Sequence, residues 1–489
     1  MRPKVILTLT QLALLIAATT QLEAQSKGSE SSPINYYPLS SLIAARSLGK
    51  TVEEMEAMYS PSAKDYISLL NEKKKDQSFG ANGGPYFPYE PDRGYIDIYD
   101  ENNSMWYWHF KAQKNPDTAP LVVWLAGGPG GASTLAVFFA NGPFKLHNWP
   151  KGGEKATLNP NSWNLEANML YPDFPLGCGF STVTREGLSL VGKQAQEQFA
   201  IFLTKFLAKY PQYKKRPLYF SGVSYAGHWV PYVVDALRNL NNPDINLKGF
   251  YVSDGLIDAT AMEKSYFKFG LEYSNYTKLT QEDVQALTPL QELCLYSIST
   301  GKNRLHVRKT FNLCWTTFYM GALMKTIRKK NPYFFDEYMP GLTKIPHFDG
   351  EFYAFLNNPS VQNYLGVRVH KFQTLNQTFY KEFGQNDIFV NMKPYYVKLL
   401  NAGLKVVILC GVDDYITNYL MSETVTAETG WKYQNQFNAV QRAPCKYGLC
   451  KEYENLREIR VKDSGHGTSL FQPGFALEII TKLISGGSE

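Results

Sequence analysis

The segment Leu218-Tyr219-Phe220-Ser221-Gly222-Val223-Ser224-Tyr225-Ala226-Gly227-His228-Trp229-Val230-Pro231 decides how the rest of the chain is read. A strand-type apolar run meets Gly222, then Ser224, then the small residues Ala226 and Gly227, before the sequence turns apolar and helical. A sharp turn from strand to helix needs small side chains on either side, because bulk there collides with neighbouring backbone. Such a turn exposes Ser224 at the C-terminal edge of a sheet and aims the Tyr225 N–H at the place where an oxyanion forms. Taken alone, the same pattern fits a glycine-flanked junction between strand and loop, so the partners of Ser224 must decide.

Upstream, Trp124-Leu125-Ala126-Gly127-Gly128-Pro129-Gly130-Gly131 follows an early strand, Leu121 to Leu125. A glycine-rich loop in that place brings backbone N–H groups close to a substrate oxygen, and Gly128 N–H is the candidate second donor. It is no phosphate loop, because the Lys and Ser/Thr of that pattern are missing. Downstream, the strand Lys405 to Cys410 runs into Gly411-Val412-Asp413-Asp414, and a later strand ends in Lys462-Asp463-Ser464-Gly465-His466-Gly467. Serine, carboxylate and histidine in that chain order, each on the loop after a strand, make the α/β-hydrolase arrangement.

The remaining pattern agrees with that architecture. Short apolar runs at Met169 to Tyr171, Gly249 to Val252 and Ile459 to Val461 alternate with amphipathic stretches such as Lys193 to Tyr210 and Lys393 to Asn401. This predicts a mostly parallel sheet covered by helices on both faces, with a hairpin at Gly94 to Ile98 and Met105 to Ala112. Residues 260–365, rich in Tyr, Phe, Met and Lys at helical spacing, read as an inserted, mainly helical cap. The hydrolase core then comprises 94–259 and 366–489, preceded by a segment 25–93 that resembles a pro-region in part.

Residues 1–24 carry Arg2 and Lys4, an apolar run from Val5 to Ala18 and a polar end, the pattern of a secretory signal peptide cleaved after Ala24. No other stretch reaches the ~18 apolar residues of a membrane span. The expected destination is the secretory pathway, ending in a lysosome- or vacuole-like organelle or outside the cell. Sequons at Asn102, Asn275 and Asn376 fit that route. Among the six cysteines, Cys445 and Cys450 can staple a loop and Cys294 and Cys314 can close a longer one, while Cys178 and Cys410 read as buried thiols. A formal charge of +6 with scattered basic residues leaves no nucleic-acid footprint, and the run Lys73 to Lys75 reads as a solvated helix face. The seven histidines form no ligand-spaced cluster, so neither a metal nor an organic cofactor is expected.

Several ordered motifs carry a closer resemblance. Trp-Leu-x-Gly-Gly-Pro-Gly at 124–130, Asn-Pro-x-Ser-Trp at 159–163, Asp-x-Pro-x-x-x-Gly-Phe-Ser at 173–181, Ser-Tyr-Ala-Gly-His at 224–228 and Gly-x-x-Asp at 411–414 resemble those of the serine carboxypeptidases. These are α/β-hydrolases that remove C-terminal residues. The resemblance implies a triad of Ser224, Asp414 and His466, with Asp414 rather than Asp413 as the acid, and an oxyanion hole of Gly128 and Tyr225. It also implies a site for the substrate's free carboxylate, and there the chain departs. Where the family has an Asn and two Glu, this sequence has Ala126, Ala140 and Val223, leaving Trp124 and the Gly127 N–H as the matching elements that remain. Two family cysteines correspond to Gly131 and Thr417, and Gly467-Thr468-Ser469 replaces the family's Met-Val-Pro after the histidine.

Three readings follow. A serine carboxypeptidase with a changed carboxylate site acts on peptides. A serine hydrolase or acyltransferase on the same scaffold acts on neutral esters or amides. A non-catalytic, protective partner-binding protein keeps only the fold. The sequence leaves the oligomeric state open.

Overall fold

Ten strands among the described residues form one central sheet of the computed structural model. They are β1 (Asp92–Asp97), β2 (Ser104–Phe110), β3 (Leu121–Leu125), β4 (Asn168–Pro172), β5 (Pro217–Val223), β6 (Asn246–Ser253), β7 (Lys405–Gly411), β8 (Ala443–Cys445), β9 (Gly448–Tyr453) and β10 (Leu456–Val461). Their order across the sheet is β1-β2-β4-β3-β5-β6-β7-β10-β9-β8. Neighbours from β4 through β10 pair in parallel, whereas β1, β2, β9 and β8 add antiparallel edges. The residues described are 86–87, 90–146, 156–273, 279–300 and 350–486 except 370, with Thr310, Cys314 and the short strands Lys330–Asn331 and Phe334–Tyr338. They belong to one unit, Glu56–Glu489. The expected signal peptide, the run Lys73 to Lys75 and Asn275 lie outside them.

Central strands are buried on both faces, so β3, and β4 after Asn168, read as continuous apolar runs without alternation. Helices α1 (Thr134–Phe139), α2 (Gly192–Lys209), α3 (Ala226–Asn239), α4 (Ala259–Glu272), α5 (Gln281–Thr300), α6 (Gln377–Asp387), α7 (Lys393–Asn401), α8 (Tyr419–Ala427) and α9 (Pro473–Ser485) follow in chain order. In α2, Phe199, Phe202, Leu203 and Phe206 recur at helical spacing and are fully buried. That stripe meets Phe220 of β5 and Trp229 of α3 on one face of the sheet, together with residues of α6 and α7. Val137 and Phe138 of α1 and Ile479, Ile480 and Leu483 of α9 cover the other face. Each such side chain contributes roughly 1.5 to 3 kcal/mol on leaving water.

The hairpin β8–β9 is an addition to the sequence reading, its strands being short and only half-buried. Cys445 and Cys450 are disulfide-bonded across it, Cys294 pairs with Cys314, and Cys178 and Cys410 are buried and free.

Asp173 explains the motif at 173–181. Its fully buried carboxylate accepts the Thr134 N–H at 2.8 Å, the Thr134 hydroxyl at 2.9 Å and the Phe180 N–H at 3.0 Å, tying the start of α1 to the loop after β4. Burial pushes this carboxyl up to about 7 in spite of those bonds. The folded chain therefore keeps a proton that the unfolded chain releases at about pH 4. Stability from this group falls as pH rises between those values and is flat above them. The thermal midpoint is expected to be higher at pH 5 than at pH 8, by on the order of a few kcal/mol of stability from this one group. Asp173→Asn should shrink the difference; an equal difference in the variant would contradict the assignment.

Candidate active site

Ser224 stands at the end of β5 with φ 64°, a left-handed conformation that a non-glycine residue adopts at a cost of roughly 1 to 3 kcal/mol. The turn is held by its neighbours: Ser224 N–H donates to Ser253 O at 3.1 Å, and Leu256 N–H donates to Ser224 O at 2.9 Å. Space fixes the adjoining glycines. A Cβ on Gly222 would lie 2.3 Å from Leu125 O and 2.4 Å from Ala226 Cβ, and one on Gly127 would lie 2.6 Å from Ser224 Cβ. The loop after β3 thus rests directly on the Ser224 turn. Gly128 is exposed beside it, and among the described residues neither its N–H nor that of Tyr225 donates to a backbone carbonyl.

Tyr225 caps α3 and is anchored through its ring. Its hydroxyl donates to Asp387 Oδ2 at 2.6 Å, and the ring stacks on His228 at 4.5 Å between centroids. Asp387, at the end of α6, also meets His228 Nδ1 at 3.1 Å, the Tyr232 hydroxyl at 3.1 Å and the Gly192 N–H at 3.2 Å. Burial would raise this carboxyl, but the bonds from His228, Tyr225 and Tyr232 outweigh it and hold it below its usual range. Pro231 lies inside α3 and has no N–H for the Gly227 carbonyl; the Tyr396 hydroxyl donates to that carbonyl instead, at 3.2 Å.

The histidine and acid loops meet at the same edge. His466 Nδ1 lies 2.8 Å from Asp414 Oδ2, and the Asp414 side chain is fully buried. Asp414 also accepts the Ile416 N–H at 2.9 Å and the Thr417 hydroxyl at 2.7 Å. Burial would lower the His466 pKa, but the charge and hydrogen bond of Asp414, with Asp254 behind, raise it above its ordinary value. The loop of His466 is tied to the strand beside the Ser224 turn by Thr468 N–H, which donates to Ser253 Oγ at 3.0 Å. A Cβ on Gly467 would lie 3.6 Å from Val223 Cγ2, so Val223 neighbours the histidine loop.

The remaining candidates are placed as follows. Trp124 is 1% exposed and packs edge-on against Trp163 at 5.4 Å. Ala126 and Gly127 are buried, whereas Ala140 and Val223 are half-buried. Asn102 is exposed. The Asn376 amide is engaged at both ends, accepting the Phe379 N–H at 3.0 Å and donating to Gly177 O at 2.8 Å. Asp254, Thr417 and Asp387 escaped the sequence reading as site residues. The one signal for Asp254 was its place just past a buried strand, in Ser253-Asp254-Gly255.

Comparison with known proteins identifies the family and the fold. The profile of the family described as serine carboxypeptidase matches residues 83–486. The chain is 31% identical over 414 residues to serine carboxypeptidase S10 family member 1 of Dictyostelium discoideum, covering 80% of this chain and 93% of that one. It is 29% identical over 410 residues to carboxypeptidase Y of Komagataella phaffii, covering 80% and 75% respectively. The fold matches the crystal structure of Kex1Δp, a prohormone-processing carboxypeptidase from Saccharomyces cerevisiae, with a TM-score of 0.67 at 20% identity over 82% of this chain and 93% of that one. The sheet, the loops at its C-terminal edge and these relatives agree: the fold is that of the α/β-hydrolases, and the chain belongs to the serine carboxypeptidase family.

Proposed function

We propose that this protein is a serine-type carboxypeptidase that releases C-terminal residues from peptides through an acyl-enzyme on Ser224, with an altered site for the substrate carboxylate. The observation that carries the reading is the Asp414–His466 hydrogen bond at the sheet edge where Ser224 is held at positive φ. His466 takes the Ser224 proton as Oγ attacks the carbonyl carbon, and returns it to the leaving amine; water then repeats the sequence to free the acid. Asp414 fixes the imidazole with its proton on Nδ1 and stabilises the charged form. The N–H groups of Gly128 and Tyr225 receive the oxyanion, each worth roughly 2.7 to 4 kcal/mol in comparable sites.

The specificity side rests on Ala126, Ala140 and Val223. None offers a polar side chain, and each missing hydrogen bond to a charged carboxylate removes about 1 to 3 kcal/mol of binding. Backbone donors such as the Gly127 N–H remain. The ratio of kcat/KM for a blocked dipeptide with a free carboxylate to that for its amide is therefore expected to stay above one but well short of about a hundred, and a ratio at or below one would favour action on neutral acyl groups instead. A ratio above about a hundred would mean that carboxylate recognition survives, since that corresponds to nearly 3 kcal/mol of preference.

A second reading, hydrolysis or acyl transfer on neutral esters or amides, is favoured by the place of the apolar Val223 side chain next to the histidine loop. In either case residues 260–365 are proposed, from their sequence alone, as an inserted cap. Passage through the secretory pathway is supported by the two disulfides, and the exposed Asn102 is the sequon best placed for a glycan. Among the described residues no helix is long and apolar enough to cross a membrane.

A further inference from the structure

Asp254 follows β6 directly, and its side chain is fully buried. Its two oxygens reach two loops: Oδ1 accepts the Gly411 N–H at 2.7 Å and Oδ2 accepts the Gly467 N–H at 2.9 Å. Gly411 opens the loop of Asp414, and Gly467 is the residue after His466. The Ser253 hydroxyl also donates to Oδ2. Through the main chain, Asp254 N–H donates to Leu409 O at 2.7 Å, and Asp254 O accepts the Thr417 hydroxyl at 2.9 Å. That same hydroxyl lies 2.7 Å from Asp414 Oδ2 and 3.1 Å from His466 Nδ1. Asp254 itself is held at φ 50°, so the strain at this edge is shared with Ser224.

We propose that Asp254 is a positioning residue of the hydrolase site, fastening the loop of Asp414 to the loop of His466 and placing a second negative charge behind the imidazole that favours its protonated form. This rests on the triad reading only for its effect on turnover; the effect on His466 does not need it.

The titratable groups facing Asp254 are Asp414 and His466 on the two loops, Cys410 on β7 and Tyr251 on β6. Burial holds the Cys410 thiol and the Tyr251 phenol well above their usual values, so both stay neutral while a histidine titrates. Burial and the Asp414 charge push Asp254 up to about 6, against His466 and the bonds from Ser253 and Gly411. Asp254 therefore carries charge through the upper part of the range in which His466, itself raised, gains its proton.

The test is an NMR titration of histidine-labelled full-length protein, with the His466 signal assigned by His466→Asn. In Asp254→Asn the imidazole is expected to titrate about one pH unit lower than in wild type. The acid limb of kcat/KM should move down by the same amount, with KM for the blocked dipeptide little changed. A role confined to packing would lower the melting temperature and leave the imidazole pKa in place. Should Asp254→Asn fail to fold, Ser253→Ala serves, with Thr468→Pro as the control that removes the Thr468 bonds to Ser253 and leaves the Ser253 bond to Asp254. Ser253→Ala keeps the carboxyl, removes its hydroxyl donor, lets Asp254 take up its proton at higher pH and so lowers the His466 pKa by a smaller step. An imidazole pKa unchanged in folded Asp254→Asn, or a superimposable curve in Ser253→Ala, overturns the proposal. The NMR shift reads His466 whether or not Ser224 turns over a peptide. An inactive wild type with the expected shift would sink the carboxypeptidase reading and leave Asp254 in its role.

Discussion

Ser224→Ala protein is expected to lose kcat for peptide substrates by on the order of 10⁶ while keeping its fold. The size of the effect follows from how the parts act together. Without Oγ there is no acyl-enzyme, and His466 and Asp414 have no proton to move, so the three groups lose their contribution as a unit. What survives is substrate binding and the N–H donors of Gly128 and Tyr225, which still favour a charged oxygen. Alanine also relieves no crowding at the turn, because Gly222 and Gly127, rather than the Ser224 side chain, make room for it. Near-normal thermal unfolding with turnover lost is therefore the expected pair of results; a folded variant retaining a tenth of the activity would remove Ser224 from the chemistry.

The second large effect is expected at the acid. Asp414→Asn should lower kcat by about 10⁴. An amide in place of the carboxylate can donate to His466 Nδ1, which moves the imidazole proton to Nε2, where a lone pair must face Ser224. The surroundings make this substitution severe. Asp414 accepts from the Ile416 N–H, the Thr417 hydroxyl and His466 Nδ1, and an amide nitrogen in the Oδ2 position would make the Thr417 hydroxyl an acceptor, leaving its proton to Asp254 O and ending its donation to the acid. Asp413→Asn is the control expected to stay close to wild type, since Asp414 holds the histidine. Steady-state kinetics on a blocked dipeptide distinguishes the two; equal losses in both variants would contradict the choice of acid.

The parts of this site that sequence made legible are those whose chemistry is local. Small residues at Gly222 and Ala226 around Ser224 are demanded by the turn itself, and the structure puts their Cβ positions against Leu125 O and against each other. Loop order after buried strands pointed to the loop of Asp413 and Asp414 and to that of His466, and the family resemblance selected Asp414. What stayed hidden depends on contacts between distant segments. Asp254 binds Gly467 across 213 residues, and Tyr225 finds Asp387 across 162. Apart from the place of Asp254 just past a buried strand, no local signal marks either carboxyl, because most of its partners, backbone N–H groups, hydroxyls and the His228 ring, come from distant segments. Thr417 reads as a missing cysteine in sequence and becomes a bridge between acid and histidine only in three dimensions. The hairpin of β8 and β9 was missed for a different reason: half-exposed edge strands carry Lys and Glu that dilute the strand pattern.

Ala126, Ala140 and Val223 connect these observations to specificity. Replacing a buried carboxyl pair by apolar side chains together leaves no orphaned partner, whereas replacing one leaves the other unsatisfied.

The most direct measurement is mass spectrometry of a defined unblocked peptide incubated with mature wild-type protein and, in parallel, with Ser224→Ala. The account predicts successive loss of single residues from the C-terminus with wild type and an intact peptide with the variant. An intact peptide in both, internal fragments, or the same shortening in both would contradict it.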